Sequence, residues 1–335
     1  MNPPQFKEKV DFLLNVLPQR HKEIIQRRFG LENRPKETLE SIGKSFGITR
    51  ERIRQIEKRA IEIITRSSQI SILKNEFEFL KDFFNQNGGL KREDILCSSI
   101  VAPEEEPYLI FILRVGDPFF YTKENIEFYS FWWTQKEAPS LAQKINQILK
   151  EMLAKEDQTF PEEEFFERGT FEIEKRLSLK LSWSHFFSYV EVSKEIENNP
   201  FKEYGLITWP EISPKSIKEK VYLFLKKEGK PFHFKILAEL LSKTFGEEIK
   251  ANTLHNELIK NGKFVLIGRG IYALKEWGFE EGTVKELIEK ILKTKGPLSK
   301  EEIIQEVQKQ RWVKTTTVLL NLKYFKQGED GKYYL

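Results

Sequence analysis

Residues 38–60 read TLESIGKSFGITRERIRQIEKRA, and this stretch decides how the N-terminal part of the chain folds. Thr38 can cap a short helix from Leu39 to Phe46 that stops at Gly47. Thr49 can then cap a longer helix from Arg50 to about Arg66. Two capped helices joined by a tight glycine turn predict a helix-turn-helix.

The longer helix has one apolar side and one side rich in hydrogen-bond donors. Its apolar residues follow the three-to-four spacing of a buried stripe, and they are Ile53, Ile56, Ala60, Ile61 and Ile64. The side chains left facing outward are Arg50, Glu51, Arg54, Gln55, Lys58 and Arg59. Arginine suits guanine, glutamine suits adenine and glutamate accepts from cytosine, so this face is chemically suited to DNA bases.

Upstream, an amphipathic stretch from Phe6 to Val16 breaks at Pro18, and a second helix from Arg20 to Phe29 stops at Gly30. Residues 38–60 closely resemble region 4 of the sigma-70 family of bacterial transcription initiation factors. Residues 17–31, LPQRHKEIIQRRFGL, are similar to the helix that precedes the motif in that family. The resemblance covers about residues 10–66.

The resemblance implies that the second helix of the motif enters the major groove of the −35 promoter element. Arg50, Glu51, Arg54 and Gln55 would then face base edges. The remaining DNA-binding residues that we predict here, mainly on or near the DNA backbone, are Arg20, Thr38, Leu39, Thr49, Arg52, Lys58 and Arg59. His21 departs from the family, which commonly has an acid there. Since no segment resembles the sigma regions that bind the −10 element and melt DNA, we do not expect this chain to open promoters alone.

Beyond residue 68 a loose repeat recurs. Each copy has an amphipathic helix, a small polar turn, an apolar residue predicted to start a second helix, and a β-rich aromatic segment. The apolar markers Leu90, Phe160, Phe232 and Leu298 lie 70, 72 and 66 positions apart. The predicted β-rich segments are 108–115 with 119–121 and 126–133, then 204–209, 264–274 and 324–335. The second copy would need an extra helix at 172–192.

This pattern predicts a mainly α, multi-domain fold with small β-hairpins, in which a helix-turn-helix precedes winged helix-turn-helix repeats. The predicted domains are 1–68, 69–138, 139–214, 215–280 and 281–335. The alternative is a run of unrelated small α+β domains.

The third copy offers the next candidate binding residues. Asn252 can cap a helix through Lys260 that stops at Gly262, with His255 and Asn256 on its exposed side. Arg269 is predicted at the tip of the following hairpin. In the fourth copy, Thr315 can cap a helix over 316–323.

Residues 216–278, and above all NTLHNELIKNGKFVLIGRGIYALKEWG at 252–278, resemble the HARE winged-helix family. That family includes the N-terminal domain of the RNA polymerase delta subunit. The resemblance implies DNA or RNA polymerase as a partner.

Charge is distributed unevenly along the chain. The net charge is +6 over residues 1–66, −10 over 67–214 and +8 over 215–335, within an overall +4 for 335 residues. Basic ends favour a polyanion through counterion release and an acidic middle avoids one, so nucleic-acid contact is expected at the ends. For the C-terminal segment, the positive charge is explained equally well by surface lysines that keep the protein soluble and bind no nucleic acid.

Composition excludes several function classes. The single cysteine, Cys97, rules out an internal disulfide, and with four scattered histidines no metal site is expected. We see no secretory signal and no membrane span, which favours a cytoplasmic protein. There is no phosphate-binding loop, so we expect no cofactor.

We predict a non-enzymatic DNA-binding transcriptional regulator whose expected partners are double-stranded DNA and RNA polymerase. One alternative is an RNA polymerase-binding adaptor without sequence-specific DNA readout. Another is a nuclease subunit, because HARE domains also occur fused to nucleases; the triplets at 228–230 and 248–250 have the local Glu-x-Lys spacing of a metal nuclease.

Overall fold

The computed structural model describes residues 6–279 and 282–335, which form two compact units. The first unit runs to Glu197 and includes Tyr204–Ile207, and the second comprises Asn198–Glu203 and the chain from Thr208 to Leu335. The N-terminal residues 1–5 and the predicted domain boundary at 280/281 lie outside the described residues. The fold is 60% helical with small antiparallel sheets, which confirms the predicted fold class.

The first unit begins with four helices, α1 (Phe6–Leu14), α2 (Gln19–Phe29), α3 (Leu39–Phe46) and α4 (Arg50–Arg66). Both predicted caps are confirmed, since the Thr38 hydroxyl accepts from the Ser41 amide at 3.1 Å and the Thr49 hydroxyl from the Arg52 amide at 3.2 Å. α2 and α3 end at Gly30 and Gly47, both left-handed as predicted.

The turn between α3 and α4 is tight because of Gly43. A Cβ atom on this residue would lie 2.7 Å from the Ile48 carbonyl oxygen, closer than real Cβ atoms come. Ile24, Ile42, Ile53 and Ile56 pack beneath this turn as a small core of their own. The angle between α3 and α4 is therefore set by the backbone contact at Gly43 and by these isoleucines.

A repeating unit then follows, and its first copy, which we call repeat 1, spans residues 74–133. Its elements are α5 (Lys74–Gln86), β1 (Leu90–Arg92), α6 (Glu93–Ile100), α7 (Glu106–Val115), β2 (Phe120–Thr122) and β3 (Phe131–Trp133). The strands form an antiparallel sheet in the order β1-β3-β2. Short 3₁₀ helices at Ser68–Leu73 and Pro103–Glu105 precede α5 and α7.

The prediction of a β-rich segment at 108–115 was wrong, because these residues form most of α7. Tyr108, Leu109, Phe111, Ile112, Leu113 and Val115 are all buried, so the helix is covered on nearly every side. A short run that is apolar throughout has no period that distinguishes a buried helix from a buried strand.

Repeat 2, over residues 138–206, has the same element order. It consists of α8 (Ala138–Glu156), β4 (Phe160–Pro161), α9 (Glu162–Leu177), α10 (Trp183–Glu191), β5 (Ile196–Asn198) and β6 (Glu203–Leu206), with strand order β4-β6-β5. The extra helix predicted at 172–192 falls on the end of α9 and on the whole of α10, with a break between them. α9 ends at the left-handed Ser178, and Ser182 caps α10 as the ordinary third helix of the repeat.

Repeats 3 and 4 lie in the second unit. Repeat 3 contains α11 (Ile217–Glu228), β7 (Phe232–His233), α12 (Phe234–Phe245), α13 (Ala251–Lys260), β8 (Phe264–Gly268) and β9 (Ile271–Leu274), with strand order β7-β9-β8, followed by a 3₁₀ turn at Lys275–Trp277. Repeat 4 contains α14 (Val284–Lys295), α15 (Lys300–Gln310), α16 (Thr315–Leu322), β10 (Lys326–Gln327) and β11 (Tyr333–Tyr334).

The four marker residues do not start helices as predicted. Leu90, Phe160 and Phe232 open the first strand of their repeats, and Leu298 forms a single bridge to Tyr333 in place of that strand. Leu90 pairs with Trp133, and Phe232 with Tyr272. Each marker therefore links the start of its repeat to the closing hairpin, and the helix begins two or three residues later.

Candidate nucleic-acid interface

The outward face of α4 is arranged as the sequence predicts. Arg50, Glu51, Arg54, Gln55, Lys58 and Arg59 are all exposed, while Ile53, Ile56, Ala60 and Ile64 are buried. Ile61, predicted to be buried, is only half-buried because it packs at the edge of the core shared with repeat 1. Two turns of α4 thus present polar side chains to solvent.

Two of these side chains hold each other. The Arg54 guanidinium donates to both oxygens of Glu51, at 2.8 and 2.7 Å. This fork lowers the pKa of Glu51 and raises the pKa of Arg54, so both remain charged at neutral pH. Beside them, the Arg52 guanidinium donates to the Gln55 side-chain oxygen at 3.1 Å. Because exposed ion pairs are weak, these groups can exchange partners for DNA atoms at small cost.

The residues predicted near the DNA backbone surround this face. Arg20 is exposed and its guanidinium lies 5.5 Å from the centre of the Phe46 ring, and Arg59 pairs with Glu62 at 3.4 Å. Thr38 and Thr49 are exposed although their hydroxyls serve as helix caps. The Leu39 side chain is half-buried against the small isoleucine core, which leaves its backbone amide at the N-terminus of α3 as the group that can meet an anion.

Sequence reasoning missed the ion pair that fixes the start of the motif. The Arg27 guanidinium donates to both oxygens of Glu37 at 2.7 and 2.8 Å, and the Ser41 hydroxyl donates to the same carboxylate at 2.8 Å. These bonds lower the pKa of Glu37 to about 2. They tie α2 to the loop before α3, and no local spacing relates residues that stand ten positions apart.

His21 was noted only as a departure from the sigma family, and the structure gives it a specific environment. Burial lowers its pKa, and the neighbouring Arg20, Arg52 and Arg59 lower it further. Its Nδ1 atom is buried and has no hydrogen-bond partner among residues 6–279 and 282–335. His21 is therefore a neutral ring among three arginines of the candidate interface.

The third helix of repeat 1 is not available for binding. α7 packs against α1, α2 and α4 of the N-terminal helices, and its buried residues belong to the same core as Phe6, Leu13 and Ile64. The Phe29 and Phe111 rings meet edge to face at 5.2 Å, and the Glu32 amide donates to the Tyr108 hydroxyl at 3.0 Å. The helix-turn-helix and repeat 1 therefore share one hydrophobic core.

The third helix of repeat 2 is covered in the same way. α10 packs against β1, and the Lys91 ammonium lies 2.7 Å from the Glu191 carboxylate and 3.4 Å from the Ser188 hydroxyl. The Tyr189 hydroxyl donates to the Gly88 carbonyl at 2.9 Å. Both repeats in the acidic middle of the chain therefore use their third helix for internal packing.

In repeat 3 the third helix, α13, has an exposed polar face that contains Asn252, Asn256 and Lys260. Its N-cap is Lys250 and its C-cap Asn261, so the predicted caps at Asn252 and Gly262 were wrong. Arg269 is exposed in the turn between β8 and β9, as predicted.

His255 was predicted to be exposed, but it is half-buried. Its ring stacks on Phe234 at 4.3 Å and meets the Tyr272 ring edge to face at 5.8 Å. The ring holds α13 against α12 and β9, and it leaves the polar face to the two asparagines and the lysine.

Repeat 4 presents a different surface. The N-cap of α16 is Lys314, not Thr315 as predicted. Leu320 on this helix is 66% exposed, and Trp312 and Tyr324 on either side of it are 60% and 58% exposed. Repeat 4 therefore exposes a group of large apolar and aromatic side chains on and beside its third helix.

The two Glu-x-Lys triplets do not form a metal site. Glu228 and Lys230 pair with each other at 3.6 Å at the end of α11. Within residues 6–279 and 282–335, no group of three or more His, Cys, Asp or Glu side chains is placed to hold a metal ion. None of the helices over these residues has both the length and the apolar character needed to cross a membrane.

Comparison with known proteins gives a match at the N-terminus. Residues 13–64 match the model of sigma-70 region 4. The RNA polymerase sigma factor SigA of a Bacillus species is 42% identical over 72 residues, which is 22% of this chain and 19% of the sigma factor. SigA of Listeria monocytogenes serovar 1/2a is 40% identical over 72 residues, with the same coverage. The chain thus spans about a fifth of the length of these curated relatives.

Proposed function

We propose, on the premise that residues 13–64 form a sigma-70 region 4 domain, that this protein is a non-enzymatic, DNA-binding transcriptional regulator. Its α4 would read promoter DNA of the −35 type from the major groove. The observation that carries the proposal is the exposed polar face of α4, which lies within the matched segment and is held at a fixed angle to α3.

The proposed contacts follow from the chemistry of the side chains. Arg50 and Arg54 would donate to guanine, Gln55 would pair with adenine, and Glu51 would either accept from cytosine or keep Arg54 in position. Phosphate contacts would come from residues around the face, namely Arg20, Thr38, Thr49, Arg52, Lys58, Arg59 and the Leu39 amide. These contacts supply affinity, whereas the base contacts supply sequence preference.

We also propose that the four repeats are winged-helix domains, with boundaries near those predicted from the sequence, and that repeat 3 is of the HARE type. Repeat 3 would make the second DNA contact, through Asn252, Asn256, Lys260 and Arg269, with His255 supporting the helix. Repeats 1 and 2 would not bind DNA with their third helices, because α7 and α10 are buried. This assignment agrees with the charge distribution, in which these two repeats form the acidic middle.

The second candidate function is an RNA polymerase-binding adaptor. The exposed Trp312, Leu320 and Tyr324 of repeat 4 favour a protein partner at that end of the chain. In this case the protein would bind polymerase at high salt and show no preference among DNA sequences. DNA and RNA polymerase are both cytoplasmic in bacteria, so we propose a cytoplasmic location for this chain.

The test is fluorescence anisotropy of the full chain on a −35-like duplex and on a shuffled duplex of equal composition, at ~50 and ~200 mM salt. We expect both affinities to fall with salt and the preference for the −35-like duplex to persist. Equal affinities at both salts would reject the promoter-reading proposal. An RNA polymerase pull-down at the higher salt would then test the adaptor.

A further inference from the structure

A cleft runs beside the candidate reading helix within the first unit. One wall is α4, through Arg54, Lys58 and Ile61, and the other is the β2–β3 hairpin of repeat 1. The cleft has a volume of about 690 Å³. A second hollow of about 430 Å³ continues from it, and both hollows are lined by Glu57, Arg114 and Tyr121.

The hairpin wall is aromatic and held rigidly. Phe120 stacks on Trp133 with ring centres 4.5 Å apart, and Tyr121 packs on Trp132 at 4.9 Å. β2 is an edge strand, and Phe120 and Tyr121 are 37% and 36% exposed there. The indole N–H groups of Trp133 and Trp132 donate to Thr122 and Glu93, at 3.0 and 2.8 Å, which fixes the two rings. Because neighbouring residues of a strand point to opposite faces, Phe120 borders the first hollow beside Trp133, and Tyr121 borders the second beside Trp132.

The charges of the cleft favour an anion. Its carboxylates already have partners, since Glu57 lies 3.5 Å from Arg28, Glu62 lies 3.4 Å from Arg59, and Glu93 accepts from Trp132. The exposed cations Lys58, Arg114 and Lys123 make no ion pair within the part of the chain that the structure describes. Arg114 is exposed near the C-terminal end of α7, and it lines both hollows.

We propose that this cleft binds an unpaired DNA strand that continues from the duplex read by α4. Lys58 would contact the duplex phosphates nearest the junction, Arg114 and Lys123 would contact the phosphates of the single strand, and Phe120 and Tyr121 would stack on its bases. A paired duplex offers only base edges and backbone, so it leaves exposed aromatic faces without partners. An apolar peptide helix would bury the three cations without pairing them. A single strand has both unstacked bases for the aromatic rings and phosphates for the cations, so it matches the groove.

The inference rests on the proposed function, because that function sets the position of the duplex. The binding experiment tests the cleft separately from promoter reading. Anisotropy is measured for the full chain on three probes: the blunt −35-like duplex, the same duplex with a ten-nucleotide single-stranded thymidine extension at either end, and the extension alone. We expect one of the extensions to raise affinity by ~10-fold or more over the blunt duplex. The extension alone should bind weakly but measurably.

The variants Phe120→Ala and Lys123→Ala should each remove most of this gain and leave binding to the blunt duplex unchanged. Phe171→Ala and Lys155→Ala are matched controls, because both side chains are exposed in repeat 2 and lie outside the cleft. Equal affinity for blunt and extended duplexes, or a gain that survives in both cleft variants, would overturn the proposal. If the blunt duplex shows no sequence preference but the extension still gains through Phe120 and Lys123, the promoter-reading function fails and the cleft stands.

Discussion

Arg54 and Lys58 lie one helical turn apart on α4, yet they are expected to contribute differently. Arg54 is held in a fork by Glu51 and points a planar guanidinium outward, whereas Lys58 makes no ion pair in the described chain. Arg54→Ala should cost ~1 to 3 kcal/mol on the −35-like duplex and little on the shuffled one, because a base contact is lost. Lys58→Ala should weaken binding to both duplexes alike. Anisotropy on the two duplexes measures both effects, and equal losses for Arg54→Ala would refute its role in base readout.

The Glu37 carboxylate is expected to stabilise the helix-turn-helix through its fork to Arg27 and its bond to Ser41. Glu37→Gln should lower the free energy of unfolding by about 1 kcal/mol, a modest value because the pair is partly solvated. The folded-state pKa is about 2, below the ordinary 4.5, so this contribution is present above pH 4.5 and is lost as pH falls toward 2. Glu40→Gln is the control, since Glu40 forms an exposed pair with Lys44 on the same helix. Equal effects of the two substitutions in urea unfolding would contradict the prediction.

His21 is also expected to make folding stability depend on pH, but here folding favours the uncharged form of the side chain. Its pKa is lowered from 6.5 by burial and by three arginines, so folding favours the neutral ring. The unfolded chain takes up a proton near pH 6.5, and the stability that His21 contributes is therefore present above that pH and is lost as pH falls below it. We expect His21→Gln to reduce the loss of unfolding free energy between pH 7.5 and 5.5. A variant that loses as much stability as the parent over this range would rule out this role.

Single residues also show what the sequence alone could reveal. Thr38, Thr49, Gly30 and Gly47 were found because capping depends on neighbours in the chain. The Arg27–Glu37 fork and the stacking of His255 on Phe234 depend on neighbours brought together by folding, and no local pattern marks them. The polar face of α4 was predictable because a helix with a clear apolar stripe leaves its other side exposed.

At the scale of elements, α7 is the helix whose environment differs most from expectation. It has the chain position of the third helix in its repeat, but it is packed into the core that joins repeat 1 to the helix-turn-helix. Over residues 108–115 its sequence is apolar except at Arg114, so no period in it distinguishes the predicted strand from the buried helix that the structure shows. The sequence signal for an internal role was present in this composition, since a helix that binds DNA needs a polar face.

Removing a large buried side chain from α7 should therefore destabilise α4, the proposed reading helix, as well as repeat 1. Phe111 is fully buried and contacts Phe29, so Phe111→Ala is expected to cost ~3 to 5 kcal/mol of unfolding free energy. Hydrogen exchange should show α2, α4 and α7 losing protection together. Phe171→Ala is the control because Phe171 is 65% exposed. If α4 keeps its protection while α7 loses it, the shared core does not act as one cooperative unit.

Across the whole molecule, the sign of the net charge in a repeat agrees with whether its third helix is buried or exposed. Repeats 1 and 2 carry the acidic middle and bury α7 and α10, whereas the N-terminal helices and repeat 3 are basic and expose polar helix faces. The repeat and the charge blocks could be predicted from the sequence because both are properties of the chain itself. Which third helices are covered could not be predicted, because that depends on the surfaces that neighbouring repeats present.

The contrast between the basic parts of the chain and its acidic middle predicts which residues contribute to the salt dependence of DNA binding. Each phosphate contact that is lost should reduce the slope of log affinity against log salt by about 0.9. Lys260→Ala combined with Arg269→Ala should therefore lower the slope by about 2 on a duplex long enough to reach repeat 3, and leave it unchanged on a duplex that covers only the −35-like element. Lys144→Ala combined with Lys155→Ala removes the same charge from exposed positions on α8 in the acidic middle, and it should change neither slope. If both double variants lower the slope equally, binding follows net charge alone, and repeat 3 has no dedicated DNA contact.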